Sequence, residues 1–267
     1  MLVATLFLPH ESSLRSGLLL LAFVTFALWE TFRPRRAPMT SVPRRWANHA
    51  MLWFLSAAAA GWIFRASAVI VATAAGSSRY GLLNRDLISF WARCLIAVLL
   101  LDLLRYGQHC LYHRVAFLWR IHQVHHADPD YDWSTGLRFH PAEVLLSQGI
   151  YLLAIYALAP PPIAVLGLEL ADIAVNFFVH ANIALPASLE ARLRFLMITP
   201  DMHRIHHSGN SAEQNTNFGV VFPFWDRLMG TYMSEPAGGQ DQMALGLPIA
   251  VERDLSLFGM LSLPFRR

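Results

Sequence analysis

"LRSGLLLLAFVTFALWETF", residues 14–32, sets the class of fold before any other stretch is considered. Its only charges, Arg15 and Glu30, stand near its two ends. A helix of about 20 apolar residues is what a hydrocarbon core of about 30 Å requires. A secretory signal would be shorter in its apolar part and would end in small residues. This stretch runs instead into "WETFRPRR", so we expect a retained membrane anchor.

Four further apolar stretches follow, at about 50–75, 87–104, 144–159 and 163–180. Arg65 interrupts the first of these, where it either snorkels to an interface or marks a break. "PPP" at 160–162 separates the last two, since no helix continues through it. Across the 267 residues only 15% are charged against 55% hydrophobic, where a soluble domain carries about 25% charge. We therefore expect an all-α, polytopic membrane bundle of four to five spans, forming one membrane-embedded domain over 1–267 with N-terminal spans in 14–75. The linker "RPRRAPMTSVPRR" at 33–45 holds five arginines. It reads as a solvated, flexible connection, and by the positive-inside rule it is cytoplasmic. Alternating the spans from there brings residues 107–142, His180 and the block 199–233 to that same side, as a helical cytoplasmic cap. "NFGVVFPFWD" within the cap has strand-like composition. No lysine occurs, and nothing suggests a face for nucleic acid. Cys94 and Cys110, the only cysteines, do not suggest a disulfide framework.

The histidines of this apolar chain are concentrated in one part of it. Ten of its twelve histidines lie between 109 and 207. "HCLYH" supplies His109 and His113; "HQVHH" supplies His122, His125 and His126; "HRIHH" supplies His203, His206 and His207; His180 closes the last span. Positions i, i+3 and i+4 share one helix face, so each motif can aim its imidazoles at one point. Neutral imidazole binds iron, zinc, copper and nickel. One tetrahedral zinc takes four ligands, so eight or nine histidines overfill a single site and fit two metals. A lone buried histidine is more often a satisfied core residue, and an exposed tract can collect metal adventitiously. Neither explains three spaced clusters on one side of a membrane.

The segments "DLLRYGQHCLYHR", "LWRIHQVHHADPDYDWSTGLRFHPAE", "HANI", "HRIHH" and "NTNFGVVFPFWDRLMGTY" resemble the fatty acid hydroxylase and sterol desaturase superfamily of integral-membrane oxygenases. The likeness covers about 102–232, the expected catalytic core. It implies two iron ions held mostly by histidine, with zinc as a possible substitute, dioxygen as co-substrate, and hydroxylation or desaturation of a lipid. Carried over, His109, His113, His122, His125, His126, His203, His206 and His207 are the motif ligands, and His180 is the ninth. His140 competes between a ligand and a supporting role, while His10 and His49 lie outside the motifs. Cys110 stands where many members carry arginine.

Metal-bound histidines usually donate their second nitrogen proton to a carboxylate or carbonyl. Asp102 lies two turns from His109, Asp172 and Asn176 are spaced by four toward His180, and Asp201 precedes the last triplet; all are candidate supports. Asn217 and Asp226 follow in the family-like tail, and Glu143 is expected to pair with Arg138. Without CxxCH, a four-cysteine set or GxGxxG, electrons must come from a separate donor protein. Arg114, Arg120, Arg138 and Arg204 could dock such an acidic partner, or could be lipid-facing or structural. Sterols, fatty acyl chains, ether lipids, carotenoids and other lipophilic molecules all remain open as substrates. A desaturase using the same centre, or a metal transporter or sensor, are the competing readings. The expected setting is a bacterial inner membrane, amid its lipids, with the histidine cap on the cytoplasmic side.

Overall fold

All the apolar stretches fold as helices in a computed structural model that describes residues 6–78, 81–84, 88–247 and 255–266. They are α1 (Glu11–Phe32), α2 (Val42–Phe64), α3 (Ala68–Gly76), α4 (Phe90–Arg114), α5 (Ala116–His126), α6 (Pro141–Leu158), α7 (Pro162–His180), α8 (Ala187–Leu193), α9 (Pro200–His206), α10 (Ser211–Gln214), α11 (Phe224–Met229) and α12 (Leu257–Ser262). Among the described residues there is no β-strand; "NFGVVFPFWD" forms a loop that leads into α11.

Among the described residues, five segments are long and apolar enough to cross a membrane: Leu8–Phe32, Val42–Gly76, Phe90–Arg114, Pro141–Leu158 and Pro162–His180. Large apolar side chains such as Leu21, Phe54, Trp62, Trp91 and Leu153 stand exposed on them, as expected of helices facing lipid. Arg65 marks a break. Its φ of 52° ends α2 in the left-handed region, and the Ser67 hydroxyl accepts from the Ile70 amide to start α3. The start expected for the next span, Leu87, lies outside the described residues. That span continues past 104 to Arg114, carrying His109 and His113 at its end. The triple proline separates α6 from α7 as expected.

A core of Ala68, Val69 and Ala72 of α3, Leu101 of α4, Tyr151, Leu152 and Ile155 of α6 and Val165, Leu166 and Leu168 of α7 binds the bundle. Met202 of α9 joins the same cluster, so the histidine layer is continuous with the membrane core. The arginine linker is not merely a solvated connection, which corrects the expectation for it. Arg45 is buried and ion-pairs with Asp128, Asp130 and Asp132 of the loop after α5. Arg35 reaches Asp201, and Arg36 donates to the Met243 carbonyl. The linker is thereby stitched to the end of the bundle where the histidines lie.

Candidate metal centre

Local sequence explains how the rings come together. Val115, extended at φ −99° and ψ 113°, ends α4 and starts α5 within one residue. The chain folds back there, and His109 and His113 meet His122 and His126. Thr199 caps α9 and Pro200 takes its first turn, which fixes the start of the helix bearing "HRIHH".

The rings form two groups. His109, His113, His122, His126 and His206 make one, and His125, His180, His203 and His207 make the other. Within each group one candidate ligand atom per residue lies within 4.8 Å of all the others. Each triplet is shared between groups: α5 sends two rings one way and one the other, and α9 with its following residue does the reverse.

Second nitrogens fix several rings. His109 Nδ1 donates to the Phe218 carbonyl at 2.8 Å, His206 Nδ1 to Thr216 O at 2.8 Å, and His180 Nδ1 to Asn176 O at 2.7 Å. His122 Nδ1 lies 2.7 Å from Glu143 Oε1. A proton on Nδ1 leaves Nε2 as a bare lone pair. Nε2 of His109, of His113 and of His206 are buried with no hydrogen-bond partner among the described residues. Nε2 of His180 is approached by the Nε2 atoms of His125 at 3.2 Å and His203 at 3.1 Å. Buried acceptors without donors are expensive, and a cation is the group that satisfies several at once. Burial and the neighbouring imidazoles hold His125, His126, His203, His206 and His207 well below the usual histidine range. Those rings are therefore neutral at pH 7, the state a metal ligand needs. The donor set thus fits a pair of nitrogen-favouring transition metals.

The other candidates sit elsewhere. His140 caps α6, its Nδ1 accepting from Ala142 N at 3.1 Å, and belongs to neither ring group. Asp102 does not reach His109; it accepts from Trp225 Nε1 at 2.8 Å and Val221 N at 3.3 Å, pinning the loop whose Phe218 carbonyl does. Asp172 pairs with Arg105, and Asp201 with Arg35 and Arg204. Asn176 serves His180 through its backbone, while its amide side chain donates to Gly136 O. Asn217 bridges Met202 and Met233, and Asp226 accepts from the Phe218 and Gly219 amides. Glu143 turns to His122 rather than Arg138: it stands in the first turn of α6, on the side that meets α5. Arg138 and Arg204 are fully buried, which removes both as docking groups; Arg114 and Arg120 are exposed. His49 is closer to the site than its sequence position suggests, bonding Ser134 Oγ and Arg138 beneath the histidine layer. Sequence reasoning also missed Tyr131, whose ring lies 4.9 Å from that of His207 and whose hydroxyl donates to Val179 O.

A cavity of about 280 Å³ opens beside the rings. His109, His122, His125, His180 and His203, from both groups, line one end, and Phe139, Val144, Val179 and Val220 line its sides. The metal-capable layer thus faces a chamber between membrane helices, whose lining also includes Arg105, Tyr151 and Asp172.

The fatty acid hydroxylase family model matches residues 94–231, more than half of the chain. The chain belongs to this family. An ornithine lipid hydroxylase of Rhizobium tropici is 29% identical over 61% of this chain and 47% of its own length. Alkylglycerol monooxygenase of Homo sapiens is 30% identical over 49% of the chain and 28% of its own length. Cholesterol 25-hydroxylase of Mus musculus is 27% identical over 57% and 50%. The matched stretch thus spans half or less of each relative. No solved structure gives a significant match.

Proposed function

We propose that this family member is a membrane di-iron oxygenase, a non-haem oxidoreductase that uses dioxygen and electrons from a separate donor protein to hydroxylate a lipid. The observation that carries this reading is one cavity lined by rings of both histidine groups together with apolar side chains such as Phe139, Val144, Val179 and Val220. The five-ring group would hold one iron and the four-ring group the other. Residues 102–232 form the catalytic core and 14–75 the N-terminal membrane spans of one domain, 1–267. When bound, the irons supply reductive activation of dioxygen, chemistry that belongs to the metal rather than to side chains.

The chain's own residues do the rest. Phe218, Thr216 and Asn176 carbonyls and the Glu143 carboxylate orient four rings. Phe139, Val144, Val179 and Val220 keep water from the reacting carbon. Glu143 Oε2 is buried without a partner beside the cavity and is placed to hold a proton there. The relatives' names, an ornithine lipid hydroxylase, an alkylglycerol monooxygenase and a cholesterol 25-hydroxylase, support a lipophilic substrate. The contacts of Arg35, Arg36 and Arg45 with the histidine end support, by the positive-inside rule, a cytoplasmic placement of that end, and the setting we propose is a bacterial inner membrane.

Lipid analysis under oxygen-18 gas tests the reading. Cells producing the wild type are expected to gain a lipid one labelled oxygen heavier, absent from cells producing His206→Ala. An unchanged lipid profile in a host that supplies electrons would overturn it; a loss of two hydrogens instead would make the enzyme a desaturase.

A further inference from the structure

The cavity that begins at the histidines ends on polar groups rather than on hydrocarbon. Arg105 stands four residues before His109 on α4, Asp172 eight before His180 on α7, and Tyr151 eight after Glu143 on α6. All three line the cavity. At 1.5 Å per residue, the four residues from Arg105 to His109 and the eight from Asp172 to His180 put this end about 6–12 Å from the histidines along the helices. The three side chains meet there. The Arg105 guanidinium pairs with the Asp172 carboxylate and lies 4.5 Å over the Tyr151 ring. Tyr151 is 2% exposed, and its hydroxyl has no hydrogen-bond partner among the described residues.

Packing alone does not call for such a group. Charges inside a membrane bundle are costly, and an apolar replacement of a buried pair is often neutral or stabilising. A chamber meant only for hydrocarbon would be better closed by leucine. The charges lining the cavity are also paired: Arg105 answers Asp172, while the adjacent Glu169 is answered by Arg15 at 2.7 Å, an arginine that Glu11 shares at 2.8 Å. An anionic group would be drawn by Arg105 and repelled by Asp172, and a cation the reverse. An uncharged group that can accept from Tyr151 and from the guanidinium meets no such penalty.

The geometry points to an anchor, built from Arg105, Asp172 and Tyr151, for an uncharged hydrogen-bonding group of an amphiphilic substrate: a hydroxyl, ether, ester or amide. Anchoring that group fixes which carbon reaches the histidines, about 6–12 Å away. The anchor therefore acts as a ruler for the position of oxidation. This last consequence rests on the oxygenase reading, whereas the recognition itself does not.

The test measures binding, which needs neither dioxygen nor electrons. Tritiated 1-dodecanol, dodecane and dodecanoate are each titrated onto the full chain in amphipol by scintillation proximity. Wild-type protein is expected to hold dodecanol roughly three- to tenfold more tightly than either other probe, the range one neutral hydrogen bond provides. Tyr151→Phe is expected to abolish that preference while leaving dodecane binding unchanged. A variant with Arg105→Met and Asp172→Leu together, which removes both charges at once, is expected to do the same. Equal binding of dodecanol and dodecane by the wild type, or a preference for dodecanoate, would overturn the anchor without recourse to any variant. A protein that prefers dodecanol yet oxidises no lipid would keep the anchor and lose the oxygenase reading, so the two can fail separately.

Discussion

Replacing Glu143 should loosen the metal centre by an amount the structure sets. Glu143 Oε1 lies 2.7 Å from His122 Nδ1, and both side chains are buried. Glu143→Ala leaves a buried imidazole N–H with no acceptor, which costs about 1–3 kcal/mol. At about 1.4 kcal/mol per tenfold, that is a loss of roughly five- to 150-fold in metal affinity. The independent range for removing a support behind a metal-bound histidine is about 10- to 100-fold, in agreement. Glu143→Gln retains a carbonyl oxygen for the same nitrogen, so its affinity should stay within about threefold of wild type, the difference between a charged and a neutral acceptor. The glutamine cannot hold a proton at the cavity, so turnover should fall although metal remains. The assay is chelator competition followed by metal counting on the purified full chain, with the thermal midpoint checked alongside. An alanine variant that binds metal as tightly as wild type would refute the positioning role.

Metal-free protein should lose stability in acid. The folded chain holds His125, His126, His203, His206 and His207 neutral below their usual range near 6.5, while the unfolded chain takes up protons there. The thermal midpoint of chelator-treated protein should therefore be flat above about pH 6.5 and fall steadily below it; a constant midpoint down to pH 5.5 would contradict this. Arg45→Met strands three buried aspartates and should cost about 3–5 kcal/mol, read as loss of folded protein in detergent. His140→Ala should leave metal content unchanged and cost only a helix cap, about 1 kcal/mol in thermal or denaturant stability. Gly219→Ala would push a Cβ to 2.5 Å from Ile198 Cδ1 and 2.9 Å from Asp226 Oδ2, shifting the loop that holds the His109 acceptor. It should cost about 1–3 kcal/mol and lower metal content with it.

The residues differ in how openly the sequence shows them. The five spans were legible because bilayer thickness imposes one length on every crossing helix. The histidines were legible because helical spacing alone aligns His122, His125 and His126, or His203, His206 and His207. What aligns them further was hidden. The acceptors of His109, His206 and His180 are backbone carbonyls, and a carbonyl has no letter in a sequence. Glu143 seemed destined for Arg138 in the same short segment, yet its partner is His122, set by how α6 packs on α5. Asp102 looked like a support for His109 by spacing, but two helical turns on one face do not bring side chains into contact, and Trp225 captured it from 123 residues away. The break at Arg65 was foreseeable as one of two outcomes, and the Ser67 cap decided between them.

Because α5 and α9 each divide their rings between the two groups, the groups are not separate modules. Rotating either helix by a fraction of a turn to suit one group moves rings of the other by the same angle. An ion seated in the first group would stiffen both helices in the pose the second needs, so the two positions should fill together rather than in succession. A half-loaded protein would then be a scarce species, and scarcity of metal would show as fewer complete centres instead of many defective ones.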